Sequence, residues 1–564
     1  MLSAKCDSRF FPETLIPESS FMQKPIRLAL LCAVLLLATY LRTTGLTWGL
    51  TSGFGIYRNF HPDEFLSLSG VLELDLLKGQ IKAPRAYSEG TFNYYLWALP
   101  QAALKLSNKT QASSTSLGNM ENHASLLYAC RWMSVLFDLC TLIIVFLTVR
   151  EATQDFYPAL LGALCYAVLP MQVIYSHFMR PHLLSNLLCA LVIWFSLKLC
   201  KRRRWWMLLT VGFLSGLGLA TRYPVGIIVI IPCLYLLFDC YVGLPDWKTG
   251  LWERAKGFVS GAVWLLGLGF VLGLLVGHPM LFWEPRSVID AVKGSQLSYA
   301  SLGEFMPGKL LNLSTLWKYI SLLIPVAMYP VLWLLPYVAI CYLCLRPELF
   351  AKSLPLLLFS LLYLYFMAKG YLVPIFARPT MLLFPGFCIL LGLACGDLLL
   401  RLKKQRIAVV LLTSIFFLLV VPSIVFDVAY VQAMQRKDSR FAIREDLQKL
   451  IDDSPATIGI LRNGGFFYTV IPAVEPLRSD KVEIQLQDPG EKADFFVVGF
   501  TRPIDPNGLD ASIKRIEAQG RFRYEKSYSV RPQVFGREFQ LAHFPPDMTY
   551  PFPTLLLFRA KTET

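Results

Sequence analysis

The sequence predicts a mainly α-helical, polytopic membrane protein with a small α/β domain at its C-terminal end. Of the 564 residues, 55% are hydrophobic and 16% are charged, whereas soluble domains average about 45–50% and about 25%. Long apolar runs alternate with short charged loops, and we expect about 11 transmembrane helices because each span needs roughly 20 apolar residues. From about residue 432 the pattern changes to short, strand-like apolar runs.

The predicted spans follow from hydropathy alone. The run 92–106 is apolar but short, and we interpret it as an interfacial or re-entrant helix with aromatic side chains at headgroup depth. The candidate spans are 28–48, 126–149, 157–177, 183–200, 205–221, 223–239, 257–277, 319–345, 353–369, 374–400 and 407–427.

Charge predicts the orientation of these spans. The net charge is +15, but the basic residues form short clusters between apolar runs, at 201–204 and 401–406, which is typical of cytoplasmic loops and argues against nucleic-acid binding. With residues 1–27 in the cytoplasm, every strongly basic short loop falls inside. The segment 28–431 is then the membrane domain, 49–125 is its first outer loop with surface helices, and 432–564 is extracytoplasmic.

The tail after residue 432 is predicted to be a small α/β domain. Helical patterns at 440–451 and 511–520 lie between the apolar runs. The tail contains no GxGxxG or P-loop motif, which disfavours nucleotide binding there. The predicted strands are 457–461, 466–471, 494–500 and 554–558.

Ionisable residues gather at the predicted outer ends of the helices. Arg180, Arg222 and Arg378 each lie at a helix end broken by a proline, which follows directly in two cases and after Tyr223 in the case of Arg222. Charges at a membrane boundary are costly and often mark function, and arginine suits phosphate through its permanent charge and forked donors. The alternative is that these residues are polar only because helix ends are exposed to water.

The sharpest local signal is the pair Asp63–Glu64 in the segment 60–65, just outside the first span. A carboxylate there can act as a general base toward a hydroxyl or amine at the membrane boundary. An acidic pair at a helix start is more often a capping feature, so this alternative stays open. The stretch 65–76 has the spacing of a helix that lies on the membrane surface.

The ordered set of motifs resembles the GT-C class of membrane glycosyltransferases, and within it glycosyltransferase family 39, the protein O-mannosyltransferase and lipid A aminoarabinose transferase-like group. One departure is His182, which stands where an acidic residue is usual in that family. The matching segments are the acidic pair followed by 90–97, the Arg-Pro ending at 175–181, the ending at 216–224, the late span at 378–391 and the tail helix at 438–451.

The resemblance implies an inverting transfer of a sugar from a polyprenyl-phosphate donor to an acceptor on the outer face of the membrane. Asp63 would be the base that deprotonates the acceptor, and Glu64 would help to orient it. The predicted donor-phosphate ligands are Arg222, Arg378 and Arg180, and the predicted substrate-binding residues are His61, His278, Tyr94 and Tyr95.

No cofactor is required if arginines supply the positive charge. A divalent metal stays possible through His61, His177 and His278, although no HxxH or HExxH spacing is present. The expected partners are the lipid-linked sugar, membrane lipids and an acceptor that is a lipid, a glycan or a protein.

Two other functions stay open at this stage. A polytopic lipid or solute transporter or flippase would favour inverted repeats and charges near the bilayer midplane, neither of which the sequence offers. A scaffold or receptor would leave the outer arginines unexplained. The basic loops and the tail favour a bacterial inner membrane with the active site toward the periplasm, and a eukaryotic endomembrane is the alternative.

Overall fold

The computed structural model describes residues 23–50, 60–107, 123–201, 204–239, 261–301, 312–369, 376–452, 454–461, 469–489, 491–501 and 503–561. Within these ranges every strand lies after the helix that ends at Ile451. The helices are α1 (Gln23–Thr43), α2 (Pro62–Leu72), α3 (Phe92–Leu106), α4 (Ala124–Thr153), α5 (Phe156–Ala167), α6 (Pro170–Ser176), α7 (His182–Lys201), α8 (Trp205–Thr221), α9 (Ile230–Asp239), α10 (Val263–Gly277), α11 (Met280–Trp283), α12 (Pro285–Ser301), α13 (Leu313–Lys318), α14 (Ile324–Ala327), α15 (Leu334–Cys344), α16 (Pro347–Ala368), α17 (Phe384–Leu402), α18 (Arg406–Gln435), α19 (Ser439–Ile451), α20 (Ile471–Val474) and α21 (Pro506–Glu517).

Six described helical segments are long and apolar enough to cross a membrane, and the chain is an integral multi-pass membrane protein. A seventh span forms if the bent pair α5–α6, with an angle of 59°, is counted as one. The six are Lys24–Thr43, Ala124–Thr153, His182–Cys200, Pro347–Ala368, Arg378–Leu402 and Arg406–Ile451. The remaining predicted spans are shorter or broken, so the number 11 stays a prediction.

Two predicted spans differ in detail from the structure. The predicted span 319–345 is not one continuous helix: it is interrupted between α14 and α15, where Pro330 has no N–H to donate to a helical ladder. The last span, predicted to end at residue 427, continues to Gln435. The prediction for 92–106 is confirmed as a helix, α3.

Glycines allow α8 and α10 to pack in direct backbone contact. A Cβ atom on Gly212 or Gly216 would lie 2.1 Å from the carbonyl oxygen of Leu266 or Phe270. Small residues four apart are a common way for membrane helices to approach closely. This packing fixes the end of α8, which leads into Arg222.

The connections at one end of the bundle are tied together by buried hydrogen bonds. The His177 Nε2 atom lies 2.8 Å from the Thr44 carbonyl oxygen, which joins the end of α6 to the end of α1. The Thr91 hydroxyl donates to the Gly277 carbonyl at 2.7 Å, which joins the start of α3 to the end of α10. The candidate site lies at this end.

The tail forms a five-stranded mixed sheet in the order β2-β1-β3-β7-β4. Strands β1, β2 and β3 are parallel, and β7 runs antiparallel to β3 and β4. A separate hairpin joins β5 to β6. The strands are β1 (Ala456–Leu461), β2 (Val482–Gln487), β3 (Phe495–Phe500), β4 (Phe522–Tyr528), β5 (Gln533–Val534), β6 (Arg537–Glu538) and β7 (Thr554–Ala560).

Most of the predicted tail elements are present. The predictions at 457–461, 494–500 and 554–558 match β1, β3 and β7, and the helices at 440–451 and 511–520 match α19 and the second half of α21. The predicted strand 466–471 is wrong where the structure describes it, because Ile471 begins the helix α20; residues 466–468 lie outside the described residues. Strands β2 and β4 were not predicted.

Candidate functional site

The site is organised around the start of α2. His61 is its N-cap, and the His61 Nδ1 atom accepts the Asp63 backbone N–H at 3.1 Å, while Pro62 fills the first helical position. This local geometry puts Asp63 and Glu64 in the first turn, where a carboxylate is also favoured by the helix dipole. The predicted surface helix 65–76 is corrected: α2 ends at Leu72, and Leu68 is fully buried.

His61 packs in the interior. Its ring lies 4.2 Å from the Phe178 ring and 4.7 Å from the Tyr550 ring, between centroids, and it has no exposed surface. Burial lowers the pKa of His61 to about 4, although Asp63 and Glu64 act in the opposite direction. The imidazole is therefore a neutral capping group at pH 7.

Glu64 is fully buried in an ion pair with Arg131. The Arg131 Nε and Nη2 atoms donate to its two carboxylate oxygens at 2.9 and 2.7 Å, and the Met179 backbone N–H donates to it at 2.8 Å. Arg131 also donates to the carbonyl oxygens of Leu46 and Trp48. These contacts join α2, α4, the end of α1 and the turn before α7, so Glu64 serves to position the segment that carries Asp63.

Asp63 lies between two arginines that come from different breaks in the bundle. The Arg378 Nη1 atom donates to its Oδ2 atom, and the Arg180 Nη2 atom lies 3.8 Å from the same oxygen. The Asp63 side chain keeps 20% of its surface exposed. Burial by itself would raise the pKa of Asp63, but the charges of Arg378 and Arg180 outweigh it and hold that pKa well below its usual range.

Arg180 is shared between two carboxylates. Its Nη2 atom donates to the Glu89 Oε1 atom at 2.7 Å, and its Nη1 atom donates to the Ser67 hydroxyl at 3.0 Å and to the Asp63 carbonyl at 3.2 Å. The Tyr94 hydroxyl donates to the other Glu89 oxygen at 3.4 Å. Asp63, Arg180, Arg378 and Glu89 therefore form one connected charged cluster.

Arg222 faces the same region with its charge unmatched. It is half-buried, and within the described part of the chain its guanidinium makes no hydrogen bond or ion pair, although its backbone bonds to Gly218 and Val225. Its charge acts on the buried His182 imidazole, as do those of Arg180 and Arg378. The structure thus brings the three predicted phosphate-binding arginines around one residue, His182, whose role the sequence left open.

The other predicted substrate-binding residues lie deeper or elsewhere. Tyr94 is 2% exposed and supports Glu89, and the Tyr95 hydroxyl donates to the Ile81 carbonyl at 3.2 Å. His278 is fully buried, 3.0 Å from both the Thr91 hydroxyl and the Tyr223 hydroxyl. In this structure His278 links three loops beside Arg222 and does not join the Asp63 cluster directly.

Sequence reasoning missed Glu89, Arg131 and Asp547. Glu89 immediately precedes the motif at 90–97, which could have drawn attention to it. Asp547 comes from the tail, and its carboxylate accepts the backbone N–H groups of Ala377 and Arg378 at 3.2 and 2.7 Å. Burial raises the pKa of Asp547 to about 6, against the opposing effect of Arg378. The tail thus fixes the backbone that carries Arg378.

The described residues contain no cluster of three or more His, Cys, Asp or Glu side chains suited to hold a metal ion. The histidines considered for a metal lie apart. His177 is bonded through its ring to the Val173 and Thr44 carbonyl groups, His61 caps α2, and His278 contacts Thr91 and Tyr223.

Comparison with protein families gives one match, over residues 123–250, to the family described as dolichyl-phosphate-mannose-protein mannosyltransferase. The matched segment includes Arg131, Arg180, His182 and Arg222. This match confirms the resemblance for the two motifs that it covers, 175–181 and 216–224. Comparison with curated proteins gives no match.

Several solved structures are similar to the chain. One is ArnT from Cupriavidus metallidurans bound to undecaprenyl phosphate, with 13% identity, 94% of this chain and 97% of that chain covered, and a TM-score of 0.43. The apo state of that protein has 12% identity and a TM-score of 0.42, with 95% of this chain and 98% of that chain covered. The Archaeoglobus fulgidus oligosaccharyltransferase in complex with Zn and sulfate has 13% identity and a TM-score of 0.43, with 91% of this chain and 73% of that chain covered.

Proposed function

We propose that this chain, a membrane glycosyltransferase, is an inverting enzyme that moves a sugar from a polyprenyl-phosphate donor to an acceptor at the outer face of the membrane. The observation that carries the proposal is the meeting of Asp63 with Arg180 and Arg378 at one end of the helical bundle. A base beside fixed cations is the arrangement that such a transfer needs.

The proposed reaction uses the chain's own side chains in two roles. The Asp63 carboxylate takes the proton of an acceptor hydroxyl or amine, and the acceptor atom attacks the anomeric carbon of the sugar. The bond from that carbon to the phosphate oxygen breaks, and the polyprenyl phosphate leaves with the bonding electron pair. Arg222, Arg378 and Arg180 stabilise the negative charge that develops on the phosphate.

Charge balance supports a phosphate in this cluster. Arg378 and Arg180 pair with the carboxylates of Asp63 and Glu89, whereas the Arg222 guanidinium has no carboxylate partner among the described residues. A phosphodiester donor carries one negative charge, which Arg222 would neutralise. The added charge on the leaving phosphate would then be met by arginines that are no longer shared with carboxylates.

The ion pair between Asp63 and Arg378 suggests how donor binding prepares the base. Arg378 is bonded to the carboxylate that must accept a proton. A bound phosphate competes for the same guanidinium, and withdrawal of that charge makes Asp63 a stronger base. The acceptor would then be deprotonated efficiently only after the donor is in place.

The distribution of charge supports an outward-facing site. Arg346 and Arg401 both pair with Asp397 at the end of the bundle where α15 and α17 finish and α16 and α18 begin. Asp63 lies at the opposite end, where α1 and α6 finish. Because basic loops face the cytoplasm, the site would face outward, which in a bacterial inner membrane is the periplasm.

The experiment compares membranes from cells with and without the gene, and then the purified full chain with polyprenyl-phosphate sugars. We expect mass spectrometry to find a lipid, glycan or protein that loses a sugar when the gene is deleted. The purified enzyme should release free polyprenyl phosphate in step with glycosylated product. A purified chain that moves lipid or solute across vesicles and forms no glycoside would contradict the proposal.

A further inference from the structure

Several buried polar groups around the arginine cluster have no partner. Within the described part of the chain, neither ring nitrogen of His182 makes a hydrogen bond, and neither does the hydroxyl of Tyr175. Both side chains are fully buried or nearly so, at 1% and 0% exposure. An unsatisfied buried polar group costs about 1–3 kcal/mol, so two together favour a ligand that supplies their hydrogen-bond partners.

These groups lie side by side next to the charged cluster. The rings of His182 and Tyr175 are 4.8 Å apart between centroids, in an edge-on arrangement. Tyr175 lies within electrostatic range of Arg378, Asp63 and Arg180, and His182 lies within range of Arg222, Arg180 and Arg378. The unpartnered groups therefore border the site already described.

Two more unpartnered groups nearby are also donors. The Nε atom of Arg180 is buried without a partner among the described residues, and so is the Nε2 atom of His61. Because the His61 Nδ1 atom accepts a hydrogen bond, the neutral ring carries its proton on Nε2. A group of unused donors beside three arginines favours an anion with several oxygen atoms.

We propose that His182 and Tyr175 complete the donor site by hydrogen-bonding the non-bridging oxygen atoms of the polyprenyl phosphate. This inference rests on the proposed function and assigns residues to its phosphate. The Tyr175 hydroxyl donates one bond, and a ring N–H of His182 donates another. His182 also begins α7, so the amide end of a 20-residue helix lies beside the same anion.

This assignment gives a reason for histidine at position 182. An acidic residue there would place a carboxylate beside Arg222 and cancel its charge. A neutral imidazole leaves that charge unmatched and supplies a donor. The residue that departs from the family pattern would therefore strengthen binding of the donor phosphate.

The test uses the full chain in nanodiscs with undecaprenyl phosphate as the probe and undecaprenol, which lacks the phosphate, as its control. His182→Phe and Tyr175→Phe should each weaken the affinity for undecaprenyl phosphate about tenfold or more, since a hydrogen bond to a charged group contributes that much. His182→Gln keeps a donor and should recover part of the loss. Tyr337→Phe removes a hydroxyl bonded to the Ile320 carbonyl and should change nothing.

Stability separates a ligand role from a structural one. His182→Phe removes an unsatisfied polar group, so the lipid-free variant should unfold at the same temperature as the wild type or higher, while it binds the lipid more weakly. Wild-type affinity in both phenylalanine variants would overturn this inference and leave the proposed function intact. A wild-type chain that binds undecaprenyl phosphate no better than undecaprenol would contradict the proposed function itself.

Discussion

Asp63 and Glu64 are neighbours in the chain, yet the structure places their side chains in two different regions. Glu64 points into the bundle, has no exposed surface and accepts three hydrogen bonds from Arg131 and Met179. Asp63 points toward the cluster of Arg180 and Arg378 and remains 20% exposed. Within a single helical turn, a carboxylate fixed by its partners thus lies next to one whose partners can be drawn away by a ligand.

The two regions differ in the number of hydrogen bonds that fix the arginine in each, Arg131 beside Glu64 and Arg378 beside Asp63. Arg131 has two carboxylate bonds and two carbonyl bonds, so a ligand that competed for it would have to break the packing of three elements. Arg378 has one side-chain bond to Asp63 beside its backbone bond to Asp547. A phosphate can compete for Arg378 at far lower cost.

The largest expected effect on activity comes from Asp63→Asn. The amide keeps the size of the side chain but cannot accept a proton, so turnover should fall about 10²–10⁴-fold, the usual contribution of a general base. Because Arg378 and Arg180 hold the pKa of Asp63 below its usual range, loss of this carboxylate should also lower the stability of the fold, so turnover is compared per amount of folded protein. Sugar transfer at saturating donor and acceptor is the measurement, and near wild-type turnover would exclude Asp63 as the base.

Glu64→Ala should instead destabilise the fold. It leaves Arg131 buried without its carboxylate, and breaking one side of a buried ion pair costs about 3–5 kcal/mol. Thermal unfolding in detergent measures this loss. The double variant Glu64→Leu with Arg131→Met removes both charges and should recover much of the stability; if it is no more stable than Glu64→Ala, the ion pair is not the cause.

Glu89→Gln tests how Arg180 is shared. Without the charge of Glu89, Arg180 should move closer to Asp63, which already lies 3.8 Å away, and hold the base more tightly. We expect kcat to fall about tenfold, in keeping with one charged hydrogen bond. The matched control is Glu73→Gln, which loses an exposed pair with Arg85 and should leave kcat unchanged. Equal kcat in both variants would contradict the idea that Glu89 draws Arg180 away from Asp63.

The smallest effect concerns acidity and His61. Because burial lowers the pKa of His61 to about 4 from 6.5, its folded state binds the proton more weakly than the unfolded state. Its contribution to stability is full above pH 6.5 and is lost as pH falls toward 4. Asn is a good N-cap without a titrating group, so His61→Asn should lose less stability between pH 7 and 5. Identical acid profiles would show that another group causes the loss.

The sequence predicts much of this architecture, and the reasons are physical. Apolar runs of span length and basic loops identify membrane helices because the bilayer imposes both. The tail strands β1, β3 and β7 were found because they are nearly all apolar, whereas β2 and β4 alternate with charged residues such as Glu483 and Glu525 and were missed. The break between α14 and α15 was missed because its residues are as apolar as a span.

The site was harder to predict than the fold. The arginines beside prolines could be found because a charge at a helix break is conspicuous in an apolar sequence. The different environments of Asp63 and Glu64 could not be predicted, because they depend on Arg131, Arg180 and Arg378, which lie far away in the chain. The role of Asp547 could not be predicted either, since nothing in the tail sequence indicates that it packs against the backbone of Arg378.

The most direct test of the account is the affinity of Asp63→Asn for undecaprenyl phosphate, measured on the same preparation whose turnover has been lost. If Asp63 performs the chemistry and the arginines hold the donor, the variant should bind the lipid as tightly as the wild type or more tightly, because Arg378 is released from its ion pair. A loss of affinity parallel to the loss of turnover would contradict the account, since Asp63 would then be needed to hold the donor site together.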